Sequence, residues 1–297
     1  MIRKVMASTA VCLATVLMVA GCSSSPSTDS ATGGANATPT YGSCNVKGTF
    51  GSDPITDPAT AGALTVETSL PNPGWWNGDK PEDIKDGYEY CMAANIAFRG
   101  GLPKLIVKAV SFASIVAGQT KDFDLALVTI SITPEREKAV QFSPPYFAGD
   151  IGILTKKGTK VTTDSLKTMT VGVQLGTVGQ SFAQNKLGIA AGSLKVFPDT
   201  GSMTTALASG QVDVVLNDTA LALTVANASN GLLEVVGQFH TGESYGAVYP
   251  EGAPNKAALD KIISDLIKDG SLKGLAASYL TPAFGGDPTD VPYLDSK

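Results

Sequence analysis

The chain has 297 residues, with 22 Lys and Arg against 27 Asp and Glu, and 43% of its residues are hydrophobic. That length and apolar content support a real core in one large domain or two lobes, while the acidic balance excludes a nucleic-acid binder, which needs clustered basic groups against phosphates. A single histidine, His240, and the lack of any Cys-x-x-Cys pair exclude a zinc site, and neither a metal nor another cofactor is expected.

In chain order, Arg3 and Lys4 precede an apolar run over 5–20 that is short for a membrane span. It ends in Val19-Ala20-Gly21-Cys22, which resembles the bacterial lipobox. That resemblance implies a signal peptide over 1–21, acylation of Cys22 with palmitate or a similar chain, and anchoring outside the cytoplasm; an ordinary signal peptide or an uncleaved anchor is the alternative. Ser23 follows Cys22 and gives no inner-membrane retention signal. This favours a Gram-positive host, with the protein on the outer face of its plasma membrane. Residues 22–43 are nearly free of large apolar groups and read as a flexible tether. Cys12 leaves with the signal and Cys22 carries lipid. Cys44 and Cys91 then remain as a pair in an oxidising compartment, where a disulfide is expected; two buried thiols are the alternative.

Strand patterns follow at 63–67, 104–110, 125–129, 152–156, 170–175, 193–197, 212–216, 233–237 and 245–249. Helical patterns lie between them at 85–99, 111–118, 179–186, 202–210 and 219–228. This alternation predicts an α/β architecture with largely parallel sheets. Leu259, Ile262, Ile263, Leu266 and Ile267 have helical spacing between Asn255 and Gly270, and Leu272, Leu275, Ala276, Tyr279 and Leu280 repeat it. The tail 282–297, rich in Pro, Gly and Asp, is expected on the surface. Gly242-Glu243-Ser244-Tyr245-Gly246 matches a nucleophile elbow, but no histidine follows it to take the serine proton, so hydrolase chemistry is set aside.

Residues 124–147 read DLALVTISITPEREKAVQFSPPYF. With 170–182, 212–218 and 245–280, this stretch closely resembles the solute-binding proteins of polar amino-acid ABC importers, over nearly all of 62–281. The resemblance implies a two-lobed periplasmic-binding-protein fold (type II). Lobe 1 would take 44–149 plus 246–297 and lobe 2 would take 150–245, with two hinge crossings near Gly149 and Gly242–Gly246. It also implies a monomer without enzymatic activity that captures a polar amino acid, with amide or basic side chains favoured, and hands it to an ABC permease and its ATPase. A sensor subunit for a membrane kinase is an alternative. A dehydratase on the same fold is a more distant one, since it needs a general acid for which Glu67 is the one obvious candidate.

The residue types suit a zwitterion. Arg136 offers a planar fork of donors to a carboxylate. Thr129 and Ser131 alternate onto one face at the end of a strand. Thr177 and Val178 enter a helix whose free N–H groups favour an anion, and the resemblance assigns the Val178 N–H to the ligand carboxylate. Asp218 can accept from the ammonium. Each has a plainer reading: Arg136 paired with Glu135 or Glu137, Asp218 as a helix cap, the hydroxyls as strand residues. The resemblance also implies that Glu67 meets the ligand side chain and that Phe112 and Leu70 form opposite walls. Trp75 and Trp76 either contact ligand or pack under their own loop.

Overall fold

The computed structural model describes residues 38–296. The signal peptide, Cys22 and the tether up to residue 37 lie outside the described residues. The folded body begins earlier than Cys44. Tyr41 is buried and donates its hydroxyl to the Leu102 carbonyl at 2.6 Å, so the last tether residues belong to the packed structure.

Two five-stranded sheets organise the described residues. In the first, β1 (Ala63–Thr68) is buried at all six positions, the pattern of an interior strand covered on both faces. It pairs in parallel with β2 (Lys104–Ala109) and β3 (Leu125–Ala126). β10 (Val248–Tyr249) runs antiparallel between β3 and β4 (Gln141–Phe142). In the second sheet the order is β7 (Leu194–Phe197), β6 (Val171–Gln174), β8 (Val214–Asp218), β5 (Phe147–Lys156) and β9 (Leu233–Tyr245). β6 pairs in parallel with β7 and β8, whereas β5 is antiparallel to both β8 and β9.

The sheets are therefore mixed rather than largely parallel. The physical reason is that β5 and β9 carry the chain from one sheet to the other and back, and strands that arrive and return must run against each other. Ser244 of the serine motif sits inside β9, opposite Ala148, in extended backbone rather than at an elbow.

Helix α1 (Tyr88–Arg99) joins β1 to β2, and every one of its residues is buried. Its outer side is covered by the segment before β1. Lys47 N–H donates to Asn95 Oδ1 (2.9 Å), Asp53 N–H to the Arg99 carbonyl (3.0 Å) and Ile55 N–H to the Gly100 carbonyl (3.0 Å). A Cys44–Cys91 disulfide staples this segment to the helix, as the cysteine count predicts. Trp75 and Trp76 are fully buried under their own loop. Trp75 packs edge-on against Tyr88, Phe147 and Tyr245.

Near the C-terminus, α7 (Lys256–Lys268) buries Leu259, Ile262, Ile263 and Leu266 against the first sheet's core, and Gly270 follows at φ 76°. A left-handed residue there is what a helix end selects glycine for. Asn255 does not cap the helix; its amide holds the backbone of Thr56 and Asp57 instead. α8 (Ser271–Leu275) runs on through a π turn (Ala276–Leu280) into α9 (Thr281–Phe284).

The last residues then leave the first sheet for the second. Gln238 of β9, 2% exposed, donates its side-chain amide to the Pro288 and Val291 carbonyls at 3.0 and 2.9 Å. Its backbone pairs with Pro292 and Leu294, and Leu294 joins the second core.

Candidate functional site

A narrow, partly enclosed cleft with about 30 Å³ of free space lies between the sheets. Its walls come from chain just past the carboxyl ends of parallel strands: Leu70 and Asn72 after β1, Thr129 and Ser131 after β3, Thr177 and Val178 after β6, and Asp218 at the end of β8. Open α/β sheets characteristically bind ligands at those strand ends.

Arg136 opens a short 3-10 turn (Arg136–Lys138) and is buried over the Phe112 ring, 5.4 Å from its centre. It does not pair with its acidic neighbours, and Glu135 is held instead by Lys138 at 2.6 Å. Nη1 donates to the Ser131 carbonyl (2.8 Å) and Nη2 to the Gly176 carbonyl (2.9 Å). A guanidinium has five N–H groups, so donors remain for an anion. Those two carbonyls come from the two different sheet regions, so Arg136 spans the cleft. Burial lowers its pKa, and Asp218 and Glu243 act in the opposite direction.

Gly176 reaches φ 76°, which lets the chain turn sharply out of β6. Thr177 caps the helix that follows, α4 (Val178–Ser181), by accepting from Gln180 N–H. Gly179 lies against the Leu216 carbonyl, where a Cβ would come within 2.8 Å. Small residues thus bring the start of this helix close to β8 and into the cleft wall.

Asp218 occupies the position before α6 (Thr219–Ala228) yet makes no capping hydrogen bond. Its carboxylate is left for the cleft. Burial lifts its pKa to about 7; the adjacent Tyr245 hydroxyl and Arg136 pull it down, and Glu243 pushes it up. Thr129 lines the same space, and its hydroxyl donates to the Val128 carbonyl at 2.7 Å. The proton is committed there, so the lone pairs of Oγ1 are the groups left to meet a ligand.

Leu70, Phe112, Thr129, Ser131, Arg136, Thr177, Val178 and Asp218 all line the cleft. Glu67 does not line it. It lies within the paired part of β1, opposite Lys108 and Ala126, with its carboxyl facing Thr120 and Lys108. The tryptophans are also absent from the lining, and Arg99 is engaged far from it with Asp269 at 2.6 Å. Sequence reasoning missed other lining residues, among them Asn72, Gln174, Thr200, Asn217 and Leu221. Asn72 Oδ1 is buried without a donor, and Gln174 Oε1 accepts from Thr200 at 3.0 Å. Only the position of Asn72 and Gln174 just beyond or at strand ends signalled them.

A sequence profile for bacterial extracellular solute-binding proteins, family 3, matches residues 66–282. The chain belongs to that family. Like this family 3 protein, its relatives are binders of solutes and not enzymes. It is 28% identical over 208 residues to the L-cystine-binding protein TcyJ of Escherichia coli K12, covering 68% of this chain and 76% of that one. It is 32% identical over 152 residues to the glutamine-binding protein GlnH of Bacillus subtilis, covering 50% of this chain and 54% of the relative. Its fold is similar to an ancestral arginine-binding protein solved with arginine, with a TM-score of 0.65, 29% identity, and coverage of 73% of this chain and 98% of that one. These neighbours make this family 3 chain a type II periplasmic-binding-protein fold, as the signature implied. Among the described residues, no helix is long and apolar enough to cross a membrane.

Proposed function

We propose that this protein captures a free α-amino acid with a neutral polar side chain, glutamine or asparagine before others, and delivers it to an ABC permease driven by its ATPase. The observation that carries this reading is the placing of Arg136 and Asp218 in one cleft, each with unused capacity. One group suits a carboxylate and the other an ammonium, and Thr129 Oγ1 supplies a further acceptor. The side-chain end favours an amide over a base. Asp218 is the sole carboxylate among the described residues lining the cleft, so a cationic side chain would be buried unpaired there. Asn72 offers an acceptor and Gln174 keeps its donor end, which matches both halves of an amide.

In the same reading, 44–149 with 246–287 forms one lobe and 150–245 the other, closing over ligand about β5 and β9. Residues from 288 count with the second lobe because they pair with β9. Cys22 anchors the monomeric protein to the outer face of the plasma membrane. A dehydratase role is weakened because its candidate acid, Glu67, is not in the cleft lining.

Calorimetric titration with glutamine, asparagine, cystine, arginine, lysine and glutamate tests the ligand class. The amides should bind most tightly, and tight binding of arginine or lysine alone would refute the side-chain reading. The pH dependence tests Asp218. An ammonium stabilises only its ionised form, whose pKa in the empty cleft is about 7. Affinity should therefore be full above that pH and fall as pH drops through it, by up to about tenfold per unit. Asp218→Asn should flatten that slope in whatever binding remains, whereas an equally steep slope in Asp218→Asn would assign it elsewhere.

A further inference from the structure

Thr129 adopts φ 50°. A β-branched residue in the left-handed region is a genuine outlier and must be held there by its surroundings. Its N–H donates at 2.8 Å to Oε1 of Glu89 on α1. Glu89 is fully buried and lies outside the cleft lining. Its Oε2 accepts from Trp76 Nε1 at 2.7 Å, and Oε1 also accepts from the Tyr146 hydroxyl. Burial pushes its pKa up to about 7 against these three hydrogen bonds, and no Lys or Arg among the described residues makes an ion pair with it. A carboxylate without a cation is a costly choice for a helix interior. An apolar residue would pack there without that cost, but would leave the Thr129 N–H and the Trp76 indole without acceptors.

We propose that Glu89 is a positioning residue for ligand binding: held beneath the cleft by Trp76 and Tyr146, it fixes Thr129 in its left-handed conformation and so presents Thr129 Oγ1 to the ligand ammonium. The ligand part of this assignment rests on the amino-acid reading above; the backbone part does not. The buried tryptophan loop thereby reaches the cleft without touching ligand. Trp76 orients Glu89, Glu89 orients Thr129, and Thr129 faces the solute. Glu89→Gln preserves shape but offers one carbonyl oxygen to the Thr129 N–H and the Trp76 indole together.

Two readouts test it, on the protein with and without L-glutamine. In ligand-free protein, the ¹³Cα and ¹³Cβ shifts of Thr129 report its left-handed backbone. They should move toward ordinary values in Glu89→Gln; unchanged shifts overturn the proposal whatever the ligand is. For binding, wild type should prefer glutamine to glutaramic acid, the same molecule without its α-ammonium. Glu89→Gln should weaken glutamine binding by about tenfold and reduce that preference. In a Thr129→Ala background the Glu89→Gln loss should shrink to near zero, because the group being positioned is gone. Equal losses in both backgrounds, or an unreduced preference, would overturn it. If Glu89→Gln does not fold, Tyr146→Phe removes one holder of the carboxylate and enters the same cycle, with a smaller loss that must also vanish with Thr129→Ala. Failure of wild type to bind any amino acid would sink the functional reading and leave the Thr129 shifts to decide the role of Glu89.

Discussion

Arg136→Ala should weaken amino-acid binding by roughly two to three orders of magnitude, about 3–4 kcal/mol. The loss has two parts. The ligand carboxylate loses its charged, forked partner, and a buried carboxylate without one is strongly destabilised. The cleft also loses the side chain that joins the Ser131 carbonyl to the Gly176 carbonyl and stacks on Phe112. Thermal stability should change far less, since both carbonyls border a cleft that water can enter. Arg136→Lys should fall between the two, keeping charge but not the planar fork. Titration calorimetry with melting curves on the same samples separates the effects. A dissociation constant within about fivefold of wild type would remove Arg136 from the ligand.

The second large effect concerns folding. The Cys44–Cys91 bond spans 47 residues of sequence, and closing a loop of that size stabilises a fold by about 4 kcal/mol in the chain-entropy treatment. The bond also fixes the covering segment over α1, which is otherwise tied by hydrogen bonds such as Lys47 N–H to Asn95 and by the buried Tyr41 and Ile55. Cys44→Ala with Cys91→Ala should lower the free energy of unfolding by about that amount, read from urea denaturation. Ligand affinity should persist where the protein remains folded, because neither cysteine lines the cleft. Identical urea midpoints with and without a reducing agent would show that the bond contributes nothing.

Much of the cleft could be read in the sequence because one continuous stretch, 124–147, supplies both the strand-end hydroxyls and Arg136. Asp218 was legible as the last residue of an apolar strand, and the structure separates its two readings by leaving the cap position unbonded. Glu67 was misplaced because identity along a strand does not say where pairing stops. β1 remains paired through Thr68, and the cleft begins with Ser69. Asn72, Gln174 and Thr200 carried no pattern, since an amide or hydroxyl in a loop looks alike whether it meets a ligand or water. The crossing strands were read too short. The register of β9 continues to Tyr245 because it pairs with Phe147 across the junction, a long-range fact with no local signature. The role of Glu89 was invisible for the same reason: forty residues separate it from Thr129.

The route of the C-terminal segment matters for anyone attaching something to this protein. α7 and α8 pack with the first sheet's core and α9 lies against α6, whose Asn227 amide donates to the Pro282 and Ala283 carbonyls, and the residues after them run along β9, with Gln238 gripping two of their carbonyls and Leu294 packed against the second core. A dye or affinity tag attached just after Leu294 therefore starts beside β9 of the second sheet, not beside α7 and α8. A distance sensor built from that dye and a label on β2 reports any change in the separation of the two sheets, whereas the same dye paired with a label on β7 stays with the second sheet and serves as the internal control.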